Sequence, residues 1–278
     1  MIERAEKRDI FGGLTERERR TKSNTQTNIY RDCIANEQRG RVDGEVNPVR
    51  LNSTSAAVFS QMVKGKAKEL GISAVGITEV NQDYAYIDKS IPGKYAISLA
   101  MEMDKEKVNL APGPEAEEEY WRVYYELGEA NINLAGFIRG LGYPAYAHHP
   151  LGTGTLLMIP FAIASGIALL GRLGVAMTPQ LGPRMRLACV TTDMTLAVDS
   201  PPPTHRAEYC DRCQACYKAC PAKAIDIELT IERGVERYIL DWQRCRSYAN
   251  YHNGCGICLK VCPYDRVAKT KANRSMSI

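Results

Sequence analysis

Two stretches of the chain carry apolar residues at three- and four-residue steps, the period of a helix with one buried face. The first begins near residue 53, where Thr54 or Ser55 can cap it, and it ends at Gly71. The second covers residues 115–141, and acidic residues crowd its first turns, where the helix dipole favours negative charge. The pattern therefore predicts two amphipathic helices, the second of them long.

Short uninterrupted apolar runs predict buried strands at residues 74–77, 95–101 and 185–192. The run over residues 95–101 is continuous enough to be covered on both faces. Residues 83–86 are predicted to form a loop, and residues 156–163 are either a strand or the start of a buried helix. Helices and strands in this order indicate an α/β or α+β domain of about 150 residues.

Composition divides the chain into three parts. Residues 1–50 are charged and show no sustained period, so we expect a poorly ordered extension with room for one short helix. The three consecutive prolines at residues 201–203 predict a stiff linker. The predicted domains are therefore residues 51–200 and residues 201–278.

Eight of the ten cysteines form two similar runs in the last third of the chain. Their order is Cys-x2-Cys-x2-Cys-x3-Cys-Pro, then Cys-x9-Cys-x2-Cys-x3-Cys-Pro, which is the two-cluster [4Fe–4S] ferredoxin pattern with a displaced first cysteine in the second run. In this pattern the fourth cysteine of each run ligates the other cluster. The predicted ligand sets are Cys210, Cys213, Cys216 and Cys262 for one cluster, and Cys220, Cys245, Cys255 and Cys258 for the second.

The displaced cysteine, Cys245, adds a structural expectation. Residues 246–254 are predicted to be a loop that folds back, so that the Cys245 thiolate still reaches iron. A zinc site would also use paired cysteines, but it needs only four ligands per ion and neither the third cysteine nor the Cys-Pro ending. A disulfide framework is typical of small secreted domains, and this chain of 278 residues is neither small nor visibly secreted. Cys33 and Cys189 fall outside the pattern and are expected to be free thiols.

Charge and hydropathy narrow the class of partner. A net charge of +4 on a 30.9 kDa chain implies neither nucleic acid nor an anionic membrane surface. Arg19 and Arg20 are not followed by the apolar run of an export signal. The longest apolar stretch, residues 156–170, is shorter than the roughly 18 residues of a membrane span. We therefore expect a cytoplasmic protein with no transmembrane segment and no nucleic-acid partner.

Several motifs between the second helix and the cysteines recur in one known family. They are Phe-Ile-Arg-Gly-Leu-Gly-Tyr-Pro-Ala at residues 137–145, Gly-Arg-Leu-Gly at 171–174, Gly-Pro-Arg at 182–184 and Val-Thr-Thr-Asp at 190–193. Joined to the cysteine pattern, they resemble the corrinoid-dependent reductive dehalogenases and, more broadly, the superfamily that these share with epoxyqueuosine reductase. The resemblance runs from about Ser53 to Arg266.

The resemblance implies an α+β fold, in which a nitroreductase-like corrinoid-binding domain precedes a two-cluster ferredoxin-like domain. Such a domain would hold cobalamin in a cleft, largely through backbone contacts, and glycines let the main chain approach the flat ring. No Asp-x-His-x-x-Gly motif for ligating cobalt through histidine is present. The residues expected to contact the corrinoid are Gly166, Gly171, Arg172, Leu173, Gly174, Thr178 and Arg186.

The resemblance also implies reductive cleavage of a carbon–halogen bond in a small organohalide. Electrons would come from an external low-potential donor through the clusters, and the protein would deliver a proton. A tyrosine is a plausible acid only where a positive neighbour stabilises the phenolate. Tyr124 is the expected donor and Arg139 its cation, while Tyr120 and Tyr125 compete for the role.

Two segments depart from the family pattern. Residues 152–154 read Gly-Thr-Gly where the family carries Gly-Asn-Asp, and residues 166–169 read Gly-Ile-Ala-Leu where it tends to show Gly-Leu-Gly-Glu. His148 and His149 could supply replacement polar contacts, although adjacent loop histidines are more often exposed. The short spacing from Cys245 to the next cysteine favours the dehalogenase branch. Two alternatives stay open: an epoxyqueuosine-reductase-like enzyme, and an electron-transfer protein with clusters but no corrinoid.

Overall fold

The computed structural model describes residues 23–52, 55–152, 154–232, 234–264 and 266. It has an α+β fold, as the sequence predicts. The helices are α1 (Thr25–Cys33, continued by a π-helical turn at Ile34–Gln38), α2 (Ala56–Glu69), α3 (Lys105–Val108), α4 (Pro114–Gly140), α5 (Met158–Ala164), α6 (Cys210–Cys213), α7 (Ala215–Ala219), α8 (Trp242–Tyr251) and α9 (Ile257–Lys260). The strands are β1 (Ala74–Glu79), β2 (Tyr95–Glu102), β3 (Ala145–His148), β4 (Leu169–Leu170), β5 (Ala176–Met177), β6 (Met185–Thr192), β7 (Ile225–Glu232) and β8 (Val235–Leu240).

A four-stranded antiparallel sheet in the order β1-β2-β6-β3 forms the centre of the larger domain. Ile97 of β2 lies between Ile77 of β1 and Val190 of β6, and all three are fully buried. Helices α4 and α5 both pack against β2 and β6. The expectation that residues 95–101 are covered on both faces is confirmed, since the interior of β2 is buried throughout.

The long helix α4 has the predicted position and almost the predicted limits. Pro114 occupies its first turn, Glu115 and Glu117 lie near its positive end, and Arg139 lies in its last turn. Its 27 residues make it about 40 Å long at 1.5 Å per residue. Residues at its two ends therefore belong to different parts of the molecule.

The N-terminal region differs from the expectation in its described part. Helix α1 packs on α4, and Arg31 forms an ion pair with the buried Glu117 at 2.7 Å. Beyond it, main-chain hydrogen bonds from Asn47 to Arg139 and from Ala147 to Val42 attach the following segment to α4 and β3. Residues 1–22 lie outside the described residues.

The cluster module also differs from the expectation, because most of residues 246–254 are helical. Asp241 caps α8 by accepting a hydrogen bond from the Arg244 amide at 3.0 Å. The chain then reverses at four successive residues with positive φ, Asn253, Gly254, Cys255 and Gly256. A helix followed by this left-handed turn performs the fold-back that was predicted as a loop.

Other expectations can be compared directly. Ser55 caps α2, as predicted. The predicted loop over residues 83–86 overlaps a short 3-10 turn at Gln82–Tyr84. Residues 156–163 contain the start of α5, which confirms the helical alternative. Among the described residues, no helix is both long enough and apolar enough to cross a membrane.

The close approach of β1 to the end of α5 yields a stability prediction. A Cβ atom on Gly76 would collide with the Ser165 carbonyl and lie 2.7 Å from Ile167 Cγ2. Gly76→Ala should therefore destabilise the fold by about 1–3 kcal/mol through overpacking, lowering the melting temperature of the anaerobic holoprotein.

The matched control is Gly65→Ala, since Gly65 lies in α2 with nothing within 4 Å of its Cβ position. It should be neutral or stabilising by about 0.5–1 kcal/mol because alanine favours the helix. A Gly76→Ala protein that melts no lower than the control would contradict the packing described.

Candidate active site and iron–sulfur centres

A cavity lies beside the N-terminal half of α4 and is named here the α4 cavity. Its walls come from α1, α4, β6 and the α8–α9 region. Tyr120, Trp121 and Tyr124 supply an aromatic wall from α4. Four arginines and one glutamate carry the charge of its lining. They are Arg31, Arg39, Arg186, Arg246 and Glu117.

Arg186 of β6 is the polar centre of the α4 cavity. Its guanidinium carbon lies 4.7 Å from the ring centroid of Tyr124 and 5.2 Å from that of Tyr120. The Nε atom of Arg186 is buried and makes no hydrogen bond within the described residues. A buried donor of this kind is expected to meet a bound ligand or water, since unsatisfied buried donors are costly.

The three candidate tyrosines are in different surroundings. Tyr120 is buried, its hydroxyl donates to the Cys255 carbonyl at 3.4 Å, and burial raises its pKa, with the nearby thiols adding to the shift and Arg186 opposing it. Tyr125 stacks on Tyr30 with centroids 5.7 Å apart and is absent from the cavity lining. Tyr124 faces the cavity, so it is the best placed of the three to donate a proton there.

Arg139 is not near Tyr124. The fifteen intervening helical steps separate their backbones by about 22 Å. The Arg139 guanidinium is buried at the other end of α4, where it donates to the Ala145 carbonyl at 2.8 Å and burial lowers its pKa. The expected pairing of Tyr124 with Arg139 is therefore corrected: the cation that stacks on Tyr124 is Arg186.

The glycine-rich turn predicted to contact the corrinoid lies against the cluster module. Leu173 is almost fully buried, and a Cβ on Gly174 would lie 2.9 Å from Leu240 Cβ. Elsewhere, Gly166 abuts the Ser200 carbonyl, and Thr178 exchanges main-chain hydrogen bonds with Gly182. Of the seven residues expected to contact the corrinoid, Arg186 lines the α4 cavity and the other six do not.

A second, larger cavity, named here the rear cavity, is mainly apolar and lies near α5 and the proline linker. Tyr84, Met158 and Pro201 are among its lining residues. Leu151 lines both cavities, so the loop over residues 149–152 separates them. The two cavities together offer the extended apolar and polar surface that a large cofactor would require.

The histidines beside this loop are buried rather than exposed. His148 pairs with Thr191 Oγ1 at 3.0 Å, and His149 pairs with Gln38 Oε1 at 2.9 Å. Burial lowers the pKa of each histidine to about 4, and Arg39 contributes to the shift at His149. Both are therefore neutral hydrogen-bonding groups at neutral pH, and His149 links the loop to the end of the π-helical turn.

The eight module cysteines fall into two spatial groups. A small cavity is lined by all four thiols predicted for one cluster, Cys210, Cys213, Cys216 and Cys262. In the other group, the pKa of Cys245 is raised by burial and, to a smaller extent, by the thiols of Cys220 and Cys255. The pKa of Cys258 is also raised by burial, and among the thiols Cys245 contributes most to this shift. The four thiols of the small cavity are one of the two predicted ligand sets. The assignment of the eight cysteines to two clusters stays a prediction.

Burial shapes the chemistry of these thiols. It raises the pKa of Cys216 and Cys245 to about 11 and that of Cys262 to about 12, with neighbouring thiols adding to each shift. Such thiols become thiolates when metal binding offsets the cost of burying charge. No disulfide joins any of the ten cysteines, all of which lie within the described residues.

The two thiol groups differ in their distance from the α4 cavity. The α8–α9 turn that carries Cys255 borders this cavity through Asn253 and Gly254. Gly254 and Gly256 also lie against the Tyr120 ring. The group containing Cys255 is therefore the one nearer to the α4 cavity.

Replacing one crossed cysteine should remove one cluster. Cys262→Ser is expected to lower the iron content of the anaerobically reconstituted protein from about eight to about four per chain, because a [4Fe–4S] cluster needs four thiolates. Iron analysis and electron paramagnetic resonance of the reduced protein measure the loss.

Cys33→Ser is the control, since Cys33 lies on α1 outside both groups. It should leave iron and both reduced signals unchanged. Full iron in Cys262→Ser, with two unaltered signals, would refute the assignment of Cys262.

A family model described as "4Fe-4S dicluster domain" matches residues 209–266. Among curated proteins, the tetrachloroethene reductive dehalogenase of Dehalobacter restrictus is 33% identical over 187 residues, covering 63% of this chain and 33% of the relative. The enzyme of the same description from Sulfurospirillum multivorans is 24% identical over 262 residues, covering 77% of this chain and 52% of the relative. The chain thus spans a third to about half of these relatives' length.

Solved structures agree on the fold. The catabolic reductive dehalogenase NpRdhA in complex with 3-bromo-4-hydroxybenzoic acid superimposes with a TM-score of 0.85 at 21% identity, covering 96% of this chain and 44% of that one. An epoxyqueuosine reductase with a tRNA stem loop gives a TM-score of 0.55 at 17% identity, covering 76% and 66%. The cluster pattern, the family model and the curated relatives show that this chain is similar in sequence to reductive dehalogenases, and the solved structures show that it shares their fold and, more distantly, that of epoxyqueuosine reductase.

Proposed function

We propose that this chain forms the catalytic centre of a reductive dehalogenase-like enzyme, which cleaves the carbon–halogen bond of an organohalide. One observation carries the proposal: Arg186 stacks on Tyr124 in a cavity that borders the cysteine-bearing α8–α9 turn. The reaction consumes two electrons and one proton and converts R–X into R–H and a halide ion. An external low-potential donor would supply the electrons through the two clusters.

Three features of the described residues support a bound corrinoid. Leu151 lies between the α4 cavity and the rear cavity, Gly152 lines the rear cavity, and the buried Nε of Arg186 lacks a partner within the described chain. Arg186, Leu151 and the main chain of residues 150–152 would hold the cofactor. When bound, the corrinoid supplies the reducing chemistry at the halogenated carbon.

The protein supplies the proton. Tyr124 would donate from its hydroxyl to the carbon that loses the halide, and the phenolate left behind would be stabilised by Arg186 beside its ring. Tyr120 has its hydroxyl directed to the Cys255 carbonyl and serves as a wall between the cavity and the cluster module. Solvent would then return a proton to Tyr124.

The charge of the lining favours an acidic substrate. Of the described side chains that line the α4 cavity, four are arginines and one is a glutamate, Glu117, which is paired with Arg31. Trp121 and the two cavity tyrosines offer aromatic faces for stacking. A halogenated aromatic anion matches both features, and the relative NpRdhA was solved with 3-bromo-4-hydroxybenzoic acid.

The proton donor can be tested by removing the hydroxyl group of Tyr124. Tyr124→Phe should lower the rate of dehalogenation by about 10²-fold or more, because general acid catalysis typically contributes that much. The measurement is halide release under anaerobic conditions with a chemical reductant. Cobalt and iron contents should stay at about one and eight per chain, the stoichiometry of one corrinoid and two cubanes.

The matched control is Tyr125→Phe, which makes the same change one residue along α4, outside the cavity. It should retain the parent rate. Full activity in Tyr124→Phe would exclude this tyrosine as the donor. A parent protein that holds iron but takes up no cobalt when supplied with cobalamin would overturn the proposed function and leave the cluster-only alternative.

The substrate charge can be tested without altering the protein. A brominated benzoate and the methyl ester of the same acid share ring and halogen but differ in charge. We expect kcat/KM to be at least about tenfold higher for the benzoate, because a charged group paired with arginine contributes about 1.4 kcal/mol or more. Equal values for acid and ester would contradict an anion-selective cavity.

A further inference from the structure

Arg172 lies in the turn between β4 and β5 and is only 2% exposed. Its guanidinium donates to the Cys210 carbonyl from Nε at 3.1 Å and from Nη2 at 2.8 Å. Further hydrogen bonds reach the carbonyls of Asp211 at 3.4 Å, Asp226 at 3.3 Å and Ile227 at 2.6 Å. All of these acceptors are neutral main-chain groups, so the hydrogen bonds solvate the charge without cancelling it.

The carboxylate of Asp211, whose main chain Arg172 contacts, is hydrogen-bonded to two other side chains. Asp211 Oδ1 accepts from Tyr238 and from Arg206, both at 2.6 Å. The Tyr238 ring lies under Arg172, with the guanidinium carbon 3.6 Å from its centroid. The short contacts of the Asp211 carboxylate are therefore with Arg206 and Tyr238.

The opposite side of Arg172 faces the thiols. Arg172 and the four cysteines of the first group, Cys210, Cys213, Cys216 and Cys262, line the same small cavity. A buried cation therefore lies beside one thiol group, whereas Cys255 of the second group lies in the α8–α9 turn that contacts Tyr120.

We propose that Arg172 is a positioning residue for the cluster held by the first thiol group, and that its buried charge raises the reduction potential of that cluster above the value set by the thiolates alone. Reduction adds one negative charge to the cluster, and a nearby cation in a poorly solvated site stabilises the added charge. The inference rests on the two clusters of the proposed function. Its consequence is a cluster, remote from the α4 cavity, suited to accept electrons from the external donor.

The test uses Arg172→Gln, which keeps a hydrogen-bonding side chain but removes the charge. The potentials of both clusters would be measured in the anaerobic holoprotein by redox titration monitored with electron paramagnetic resonance. The Cys262→Ser protein identifies which signal belongs to the first thiol group. We expect Arg172→Gln to shift the reduction equilibrium of that cluster at least tenfold toward the oxidised form, about 59 mV for a one-electron couple, and to change the other cluster less.

Two further variants separate charge from packing. Arg172→Lys keeps the charge and should retain both potentials. Arg206→Gln removes one positive charge from the same module, but Arg206 is already paired with Asp211 and Glu236. It should therefore have a much smaller effect than Arg172→Gln.

Each possible result either supports or overturns the proposed role of Arg172. Unchanged potentials in Arg172→Gln with full iron, or equal shifts of both clusters, would overturn the proposal. Loss of four irons from both the Gln and the Lys variants would also overturn the proposal, because Arg172 would then be needed only for the fold. Loss of iron from the Gln variant alone, with an intact Lys variant, would support the need for charge. A parent protein without about eight irons would instead refute the proposed function.

Discussion

The stack of Arg186 on Tyr120 and Tyr124 is the contact that the candidate site depends on. The central strand β6 contributes the cation, and the long helix α4 contributes both rings. A guanidinium over an aromatic face is attractive, and more so where water is partly excluded. Tyr120 extends the contact to the turn carrying Cys255, so the sheet, the helix and the cluster module meet at one place.

In the proposed function, this arrangement would bring electrons and a proton to the same cavity. Tyr120 and Tyr124 are four residues apart on α4, so they lie on one face of the helix. The Tyr120 ring contacts the α8–α9 turn, and the Tyr124 ring faces the α4 cavity. Because a helix is stiff over a single turn, the proposed proton donor is held in a fixed relation to the nearer thiol group. In the proposed function, a small displacement of α4 would disturb the delivery of electrons and the delivery of the proton together.

The parts of the molecule that could be predicted are those governed by local sequence. The thiol grouping follows from spacing, and the limits of α4 follow from apolar period and terminal residues. The pairing of Tyr124 with Arg186 could not be found this way, because it depends on how β6 is placed against α4 across 62 residues of chain. The glycines of the 171–174 motif could not indicate that this turn packs against the cluster module, because glycines do not show which surface a turn contacts. The displaced position of Cys245 predicts that the chain folds back, but this spacing does not indicate that helix α8 forms most of the fold-back.

The cluster module is attached to the larger domain at both ends. At one end Tyr120 packs on the α8–α9 turn, and at the other Arg172 binds the carbonyl of Cys210 while Gly174 packs on Leu240. In the crossed ligand pattern each half of the module serves both clusters, so neither half can move without disturbing the other. Attachment at two separated points therefore fixes both thiol groups relative to the cavity. In the proposed function, such a fixed arrangement would favour electron transfer by keeping the two clusters and the reacting centre at constant separation.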